Sequence, residues 1–237
     1  MMDNFNQQAL EYHALSNIQR DLANWTAEWL ESDGGCLDGI EFGAGTGHFT
    51  KLVLQTGMTL LAVDRSCRMV AVGKASHPMA QWKEGDAWAP DSCMKADRVL
   101  SSALLQWCPD PAETFAQWRD LLREGGRVLC GLFVSETLPE LTEVLPSAPP
   151  FIWRTKAEWK ALFEKAGFIV ERSESSKRVY FFDNAHALLR TLHRSGATSP
   201  LRFSPGVLRT AMQKYDAMFA QDQTVRSTWT FMRIECI

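Results

Sequence analysis

The sequence predicts an α/β fold with a mostly parallel sheet, and three observations predict it. Short apolar runs at 36–42, 59–63, 96–101 and 127–133 have strand length, and segments of helical period separate them. A glycine-rich turn at 43–47 stands directly between the first run and a helix. The 237 residues, 46% hydrophobic and 22% charged, suffice for a sizeable α/β core and exclude wholesale disorder.

Taken in order, residues 6–31 read as a helix, because Leu10, Ala14, Ile18, Leu22, Trp25 and Trp29 recur every three or four positions. Asp33, Gly34 and Gly35 end it. CLDGIEF at 36–42 is a buried strand, and a helix follows the glycine turn to about 56. TLLAV at 59–63 is a second strand ending at Asp64, and Ser66 is placed to cap the next helix, to about 75. A third strand precedes EGDAW, ADRVLS at 96–101 is the fourth, and a helix over 111–123 stops at Gly125-Gly126. RVLCGLF at 127–133 is the fifth. Strand–helix alternation of this kind implies right-handed crossovers.

Beyond Phe133 the rhythm changes. The stretch LPELTEVLPSAPPFIW holds four of the ten prolines and reads as an irregular loop or cap. A helix over 155–166 ends at Gly167, and 168–171 is strand-like, continuing at 177–182. Helices follow at 184–194 and 205–220, and STWTFMRIEC at 227–236 is the last strand. No linker separates independent domains, so the two late helices read as an insertion packed over the sheet.

Several function classes are excluded or disfavoured. No window offers the ~20 apolar residues of a membrane span. The N-terminal MMDNFNQQALEYHALSNIQRD lacks the basic start and apolar block of a signal peptide. The cysteines at 36, 67, 93, 108, 130 and 236 form no CxxC pair, which is poor disulfide or zinc spacing and fits a reducing cytosol. The net charge of −3 hides an asymmetry: residues 1–150 carry 11 Lys+Arg against 20 Asp+Glu, while 151–214 carry 12 against 5. The basic stretch reads either as a solvated helical surface or as a docking face for an acidic partner. Nucleic acid fits less well, since no Lys/Arg run is interleaved with aromatic residues.

Glu41-Phe42-Gly43-Ala44-Gly45-Thr46-Gly47 carries the strongest signal. Small residues let the backbone bend sharply and let a ligand approach the main chain. A dinucleotide GxGxxG would need glycine where His48 stands, and a phosphate-binding GxxxxGK[ST] would need lysine after Gly47. The spacing is instead acidic-x-Gly-x-Gly-x-Gly. Asp64 ends the next strand and Asp86 follows the third. An acid at a strand end accepts ribose hydroxyls, and a carboxylate or amide near Asp86 can bond an adenine amino group. Each carboxylate alone reads as a solvated loop residue; together, at the carboxyl ends of successive strands, they favour a nucleoside site.

This motif set resembles the class I S-adenosylmethionine-dependent methyltransferases. The resemblance implies a Rossmann-like fold with a mostly parallel seven-stranded sheet. An N-terminal covering helix (1–31), a cofactor-binding core (36–135) and a helical insertion or lid (183–221) before the last strand would form one domain. It implies that Gly43, Gly45 and Gly47 carry the methionine part of the cofactor, that Asp64 holds the ribose, and that Asp86 and Ala87 hold adenine. Glu41, Arg65 and Ser102 complete the expected cofactor set. Gly39 and Phe42 depart from the family's usual strand pattern.

Further segments, FNQQALEYHALSNIQ, ALLQWCPDP, TLPEL, YFFDNAHALLRTLHRSGAT and FSPGVLRTAMQKYD, resemble the malonyl-acyl carrier protein O-methyltransferases of biotin synthesis. QWCPD followed by LLRTL…GAT is the discriminating pair. The implied reaction is methyl transfer to the free carboxylate of malonyl-acyl carrier protein or malonyl-CoA. A carboxyl of pKa near ~4 is already ionised at neutral pH, so no general base is required. Holding reactants in line at ~3–3.5 Å supplies ~7–11 kcal/mol of the barrier, and excluding water adds to this. The expectation is therefore positioning by Tyr12, Gln106 and Trp107, with no acid–base dyad, nucleophile or metal. Tyr12 reads equally as a packing tyrosine, and Trp107 as core.

A carboxylate acceptor invites an arginine clamp. Arg154, Arg178 and Arg190 are candidates among which the sequence does not choose. Arg190, Arg194, Arg202, Arg209 and Lys214 surround the insertion and would face an acidic carrier protein. The five histidines show no metal spacing. Two other readings stay open: a methyltransferase for another carboxylic acid or a quinone precursor, and a catalytically silent cofactor-binding protein.

Overall fold

The computed structural model describes residues 17–32, 36–145, 153–194 and 203–237. The sheet grows outward from the strand before the glycine run, β1 (Asp38–Phe42), whose last four residues are buried. β1 pairs in parallel with β2 (Thr59–Asp64) on one side and β4 (Ala96–Ser102) on the other. β3 (Gln81–Glu84) adds in parallel to β2, and β5 (Leu122–Phe133) in parallel to β4. β8 (Thr224–Cys236) runs antiparallel to β5, and β6 (Val170–Phe182) antiparallel to β8. The order is β3-β2-β1-β4-β5-β8-β6, with the two-residue β7 (Ala220–Gln221) paired to β8 off this path. The chain thus fills the sheet leftward from β1 and then restarts at β4. This reversal opens a crevice beyond the carboxyl ends of β1 and β4, the place where open α/β sheets take ligands.

Helices cover both faces. On one lie α1 (Asn17–Ala27) and α2 (His48–Leu54), where Ala23, Phe49 and Val53 pack against Leu60, Ala62, Leu100 and Leu129. α3 (Cys67–Ser76) follows β2 and packs on β3. On the other face, α4 (Pro111–Leu121) and α6 (Lys156–Lys165) bring Phe115, Trp118, Trp159 and Phe163 onto Ile40, Phe42, Val99 and Val128. Phe42 stacks on Trp118 at 5.1 Å, and Phe115 on Phe163 at 3.9 Å. A third cluster joins α5 (Pro139–Val144), α7 (Ala185–Arg194) and α8 (Pro205–Phe219) to Trp229 and Phe231 of β8, and takes in Ile18 and Leu22 of α1. The two unusual residues of β1 are accounted for here. A Cβ on Gly39 would stand 2.5 Å from Met58 Sδ, and Phe42 is the face on which Trp118 stacks.

Local signals set several helix starts. Ser66 accepts the Met69 amide, Asp110 accepts that of Glu113 ahead of Pro111, and Thr155 with Glu158 forms a reciprocal capping box. Four expectations need correction. The helix over 111–123 stops at Leu121: Leu122 turns extended and β5 runs straight through Gly125-Gly126, with a register shift against β4 between Ala96 and Arg98. The bulge absorbs the glycines, with Gly125 at φ 73°, so they lie inside the strand and do not terminate a helix. The proline-rich stretch is not wholly irregular, because Pro139 opens α5, where a missing N–H costs nothing. Buried Glu140 anchors that helix by accepting the backbone amide and hydroxyl of Thr228. β6 is one unbroken strand of 13 residues. Of the first predicted helix, the structure describes Asn17–Ala27 only; 28–31 lie outside it, and 6–16 fall outside the described residues. Among the described residues no helix is long and apolar enough to cross a membrane.

Candidate functional site

β1 ends in a buried carboxyl, and the turn after it is built on left-handed glycines: Gly43 has φ 69°, Gly45 58° and Gly47 97°. Only residues without Cβ take such angles cheaply. At Gly43 there is also no room, since a Cβ would stand 2.8 Å from Leu104 Cδ1. Leu104 follows β4, so the two strand ends flanking the crevice are in contact there. The Gly43 and Ala44 amides donate to Val63 O at 2.9 and 3.1 Å, pinning the turn to β2.

Asp64 closes this arrangement. Its Oδ2 accepts the Gly45 amide at 2.8 Å and its Oδ1 accepts the Ser66 amide at 2.9 Å. Burial raises its carboxyl above the ordinary range, while the amides of Ser66, Gly45 and Arg65 pull it back. Of the four lone pairs of the carboxylate, these three amides leave one open. The Gly85 amide donates to Asp64 O at 3.0 Å, which seats the Gly85-Asp86-Ala87 turn beside Asp64. Asp86 Oδ1 accepts the Trp88 amide at 3.0 Å, and buried Ala87 offers its carbonyl to Trp118 Nε1 at 2.8 Å.

The cleft is lined by Gln19, Glu41, Gly43, Gly45, His48 and Ser102, among others. Glu41 is 1% exposed, and its Oε2 accepts the Thr50 hydroxyl at 2.5 Å. Burial pushes its carboxyl up to about 8, opposed by the Thr50 hydroxyl and reinforced by the Asp64 charge. Ser102 Oγ is buried without a hydrogen-bond partner. An orphaned hydroxyl beside a carboxyl of weakened acidity is a place where a polar, cationic ligand recovers lost interactions.

Of the expected cofactor set, the fold brings Glu41, Gly43, Gly45 and Ser102 into one cleft, with Asp64 bonded to its rim. Gly47 stands at the N-cap of α2. Asp86 and Ala87 sit next along the edge, beyond β3, and Arg65 is exposed beside Asp64. Gln106 is 7% exposed in a 3₁₀ turn (Leu105–Trp107) directly after β4. Its Nε2 donates to Ala103 O at 2.7 Å, while its Oε1 finds no donor. Trp107 is half-buried in the same turn. Among the arginines, Arg154 is pinned to the end of β5, since its carbonyl accepts the Ser135 amide at 2.9 Å. Arg178 lies 5.0 Å over Phe231 and 5.9 Å over Trp25, and Arg190 is exposed on α7. Tyr12, Arg202 and the side chain of Arg194 fall outside the described residues.

Gln19, His48 and Thr50 were not singled out by the sequence. Gln19 carries no motif and reaches the cleft only because α1 crosses onto α2. His48 and Thr50 follow the glycine run within the first turn of α2, and that proximity was the one available signal.

A methyltransferase domain model matches residues 13–198 of the chain. The malonyl-[acyl-carrier protein] O-methyltransferase of Halalkalibacterium halodurans is 25% identical, over 98% of this chain and 95% of its own. The protein of that name from Xylella fastidiosa is 26% identical, over 94% and 79%. Among solved structures, an S-adenosylmethionine-dependent methyltransferase from Mesorhizobium loti superposes with a TM-score of 0.56 at 16% identity, covering 90% of this chain and 97% of its own. A geranyl diphosphate methyltransferase in complex with SAM gives 0.59 at 11%, covering 92% and 84%. These structural likenesses bear on the fold.

Proposed function

The chain belongs to the methyltransferase domain family, and from that premise we propose that it methylates the free carboxylate of a malonyl thioester with S-adenosylmethionine as donor. The observation that carries the donor side is the cleft at the strand reversal, where Asp64 holds the glycine turn with a lone pair to spare and Ser102 Oγ stands unpaired. Donor chemistry fits these residues: a ribose hydroxyl meets the open lone pair of Asp64, and an ammonium or sulfonium meets the carboxyl of Glu41. Adenine meets the edge around Asp86 and Ala87, with Arg65 flanking the ribose. When bound, the donor supplies an electrophilic methyl group. The acceptor side is supported by the relatives named malonyl-[acyl-carrier protein] O-methyltransferase, two of which match more than nine-tenths of the chain. On this reading the enzyme acts in biotin synthesis, in the cytoplasm, and the chain forms one domain.

The protein's part in the reaction is alignment and water exclusion. An acceptor carboxylate is already the nucleophile at neutral pH, so no side chain need remove a proton. Gln106 and Trp107, in the turn that touches the glycine loop through Leu104, wall the acceptor side. The exposed Arg190 on α7 and Arg209 and Lys214 on α8 form the face that meets an acidic carrier protein.

The test is a methyl-transfer assay read by mass spectrometry, offering malonyl-carrier protein, malonyl-CoA and free malonate in parallel. The expected result is a methyl ester on the thioesters and none on malonate. Turnover of none of the three, with donor present at saturation, would overturn the reading.

A further inference from the structure

Arg154 differs from the arginines of this chain that are held by carboxylates. Among the described residues, Arg98, Arg123, Arg127, Arg172, Arg226 and Arg233 each lie within 4 Å of a carboxylate. Among the described residues Arg154 has no carboxylate within 4 Å, and its Nη1 is buried with no hydrogen-bond acceptor. A guanidinium N–H withdrawn from water and left unmade is costly, so the position calls for an acceptor that arrives from outside.

The surroundings specify the acceptor. The Arg154 carbonyl holds the Ser135 amide just past β5, which puts the residue at the same edge of the sheet as the glycine turn. Its guanidinium lies 5.1 Å over the Trp159 ring, fixing the plane of the fork. It stands two residues before α6 and acts electrostatically on Cys108, which follows the Leu105–Trp107 turn and precedes α4. The start of α4 beyond Cys108 is already capped by the Asp110 carboxylate, and the start of α6 by Thr155 with Glu158. The nearby carboxylate of Glu158 is committed to the amide and hydroxyl of Thr155. From the cleft, the chain leads through Ala103, Leu104 and Gln106 to Cys108, and so from the donor side to Arg154. By contrast Arg178 is taken up over Trp25 and Phe231, and Arg190 is open to solvent.

We infer that Arg154 receives the free carboxylate of the acceptor and sets its oxygen toward the methyl donor, which makes it the residue that distinguishes a malonyl from an acetyl thioester. This inference rests on the malonyl reading above. A carboxylate takes the Arg fork side-on, leaving its remaining lone pairs free for attack.

The experiment titrates malonyl-CoA and acetyl-CoA into enzyme loaded with S-adenosylhomocysteine, in wild type, Arg154→Met and Arg154→Lys. Wild type should bind malonyl-CoA at least about tenfold tighter than acetyl-CoA, a ratio suited to one charge-assisted contact. In Arg154→Met the two affinities should converge while donor affinity stays unchanged, and Arg154→Lys should fall between. A role confined to stacking on Trp159 would lower the melting temperature and leave the ratio intact. An intact ratio in the Met variant overturns the inference even where wild type forms the methyl ester. Should the Met variant not fold, mapping phenylglyoxal modification on wild type replaces it. Malonyl-CoA, and not acetyl-CoA, should protect Arg154; equal modification under both would overturn the assignment. Wild type without methyl ester formation and without malonyl preference removes the functional reading and this inference together.

Discussion

Asp64 Oδ2 accepts the backbone amide of Gly45 at 2.8 Å, tying the end of β2 to the turn after β1 at the point where the sheet reverses direction. The same carboxylate holds the start of α3 through Ser66. One side chain thus shapes the glycine turn and, on the proposed function, meets the ribose of the donor. Asp64→Ala removes both roles. A charge-assisted hydrogen bond contributes about 1.5–3 kcal/mol, so equilibrium binding of S-adenosylmethionine should weaken roughly ten- to hundredfold. Unaltered affinity in this variant would remove Asp64 from the site.

Gly43 tests the turn itself. With φ at 69° and Leu104 2.8 Å from where a Cβ would stand, Gly43→Ala is strained twice. The expected cost is about 1–3 kcal/mol, visible as a melting temperature lower by several degrees and as weakened donor binding. Gly206→Ala is the control: it sits in the first turn of α8 with nothing within 4 Å, so its melting temperature should hold or rise. Equal effects at the two positions would contradict the argument.

Much of this site is local in sequence, and for that reason it was legible. The glycine run, Asp64 at a strand end, and the caps Ser66 and Asp110-Pro111 each act within a few residues of themselves. What escaped depends on partners far along the chain. Pro139 opens a helix because Glu140 finds Thr228, 88 residues away. Gly125-Gly126 lies within a strand because β4 pairs Leu122 before it and Arg127 after it, leaving the glycines in the bulge between. Gln19 lines the cleft because α1 lands on α2. Choosing Arg154 over Arg178 and Arg190 likewise needed the burial of one nitrogen atom, which no spacing encodes.

Glu41 gives a pH dependence of defined sign. Its carboxyl is pushed up to about 8 in the folded chain, against 4.5 when unperturbed. The folded state therefore holds a proton that the unfolded chain has lost between those values, and stability falls as pH rises through that window. The slope is up to about 1.4 kcal/mol per pH unit. Asp64, also raised, acts in the same direction. In thermal melts from pH 5 to 9, Glu41→Gln should flatten the decline. A wild-type slope retained in the variant would contradict the assignment.

The carrier face is tested by charge. Arg190 and Arg209 are exposed on α7 and α8 and join no ion pair among the described residues. Reversing both to Glu should raise KM for malonyl-carrier protein by more than about tenfold, and should make it less sensitive to salt. KM for malonyl-CoA should change little. An unchanged KM for the carrier-bound substrate would separate the basic face from docking.

Isothermal titration of the wild-type protein with S-adenosylmethionine tests the central claim most directly. One saturable site per chain is expected, competed by S-adenosylhomocysteine and weakened in Asp64→Ala. No saturable binding at millimolar donor would contradict the cleft at the β1–β4 reversal as a methyl-donor site, and with it the reaction proposed there.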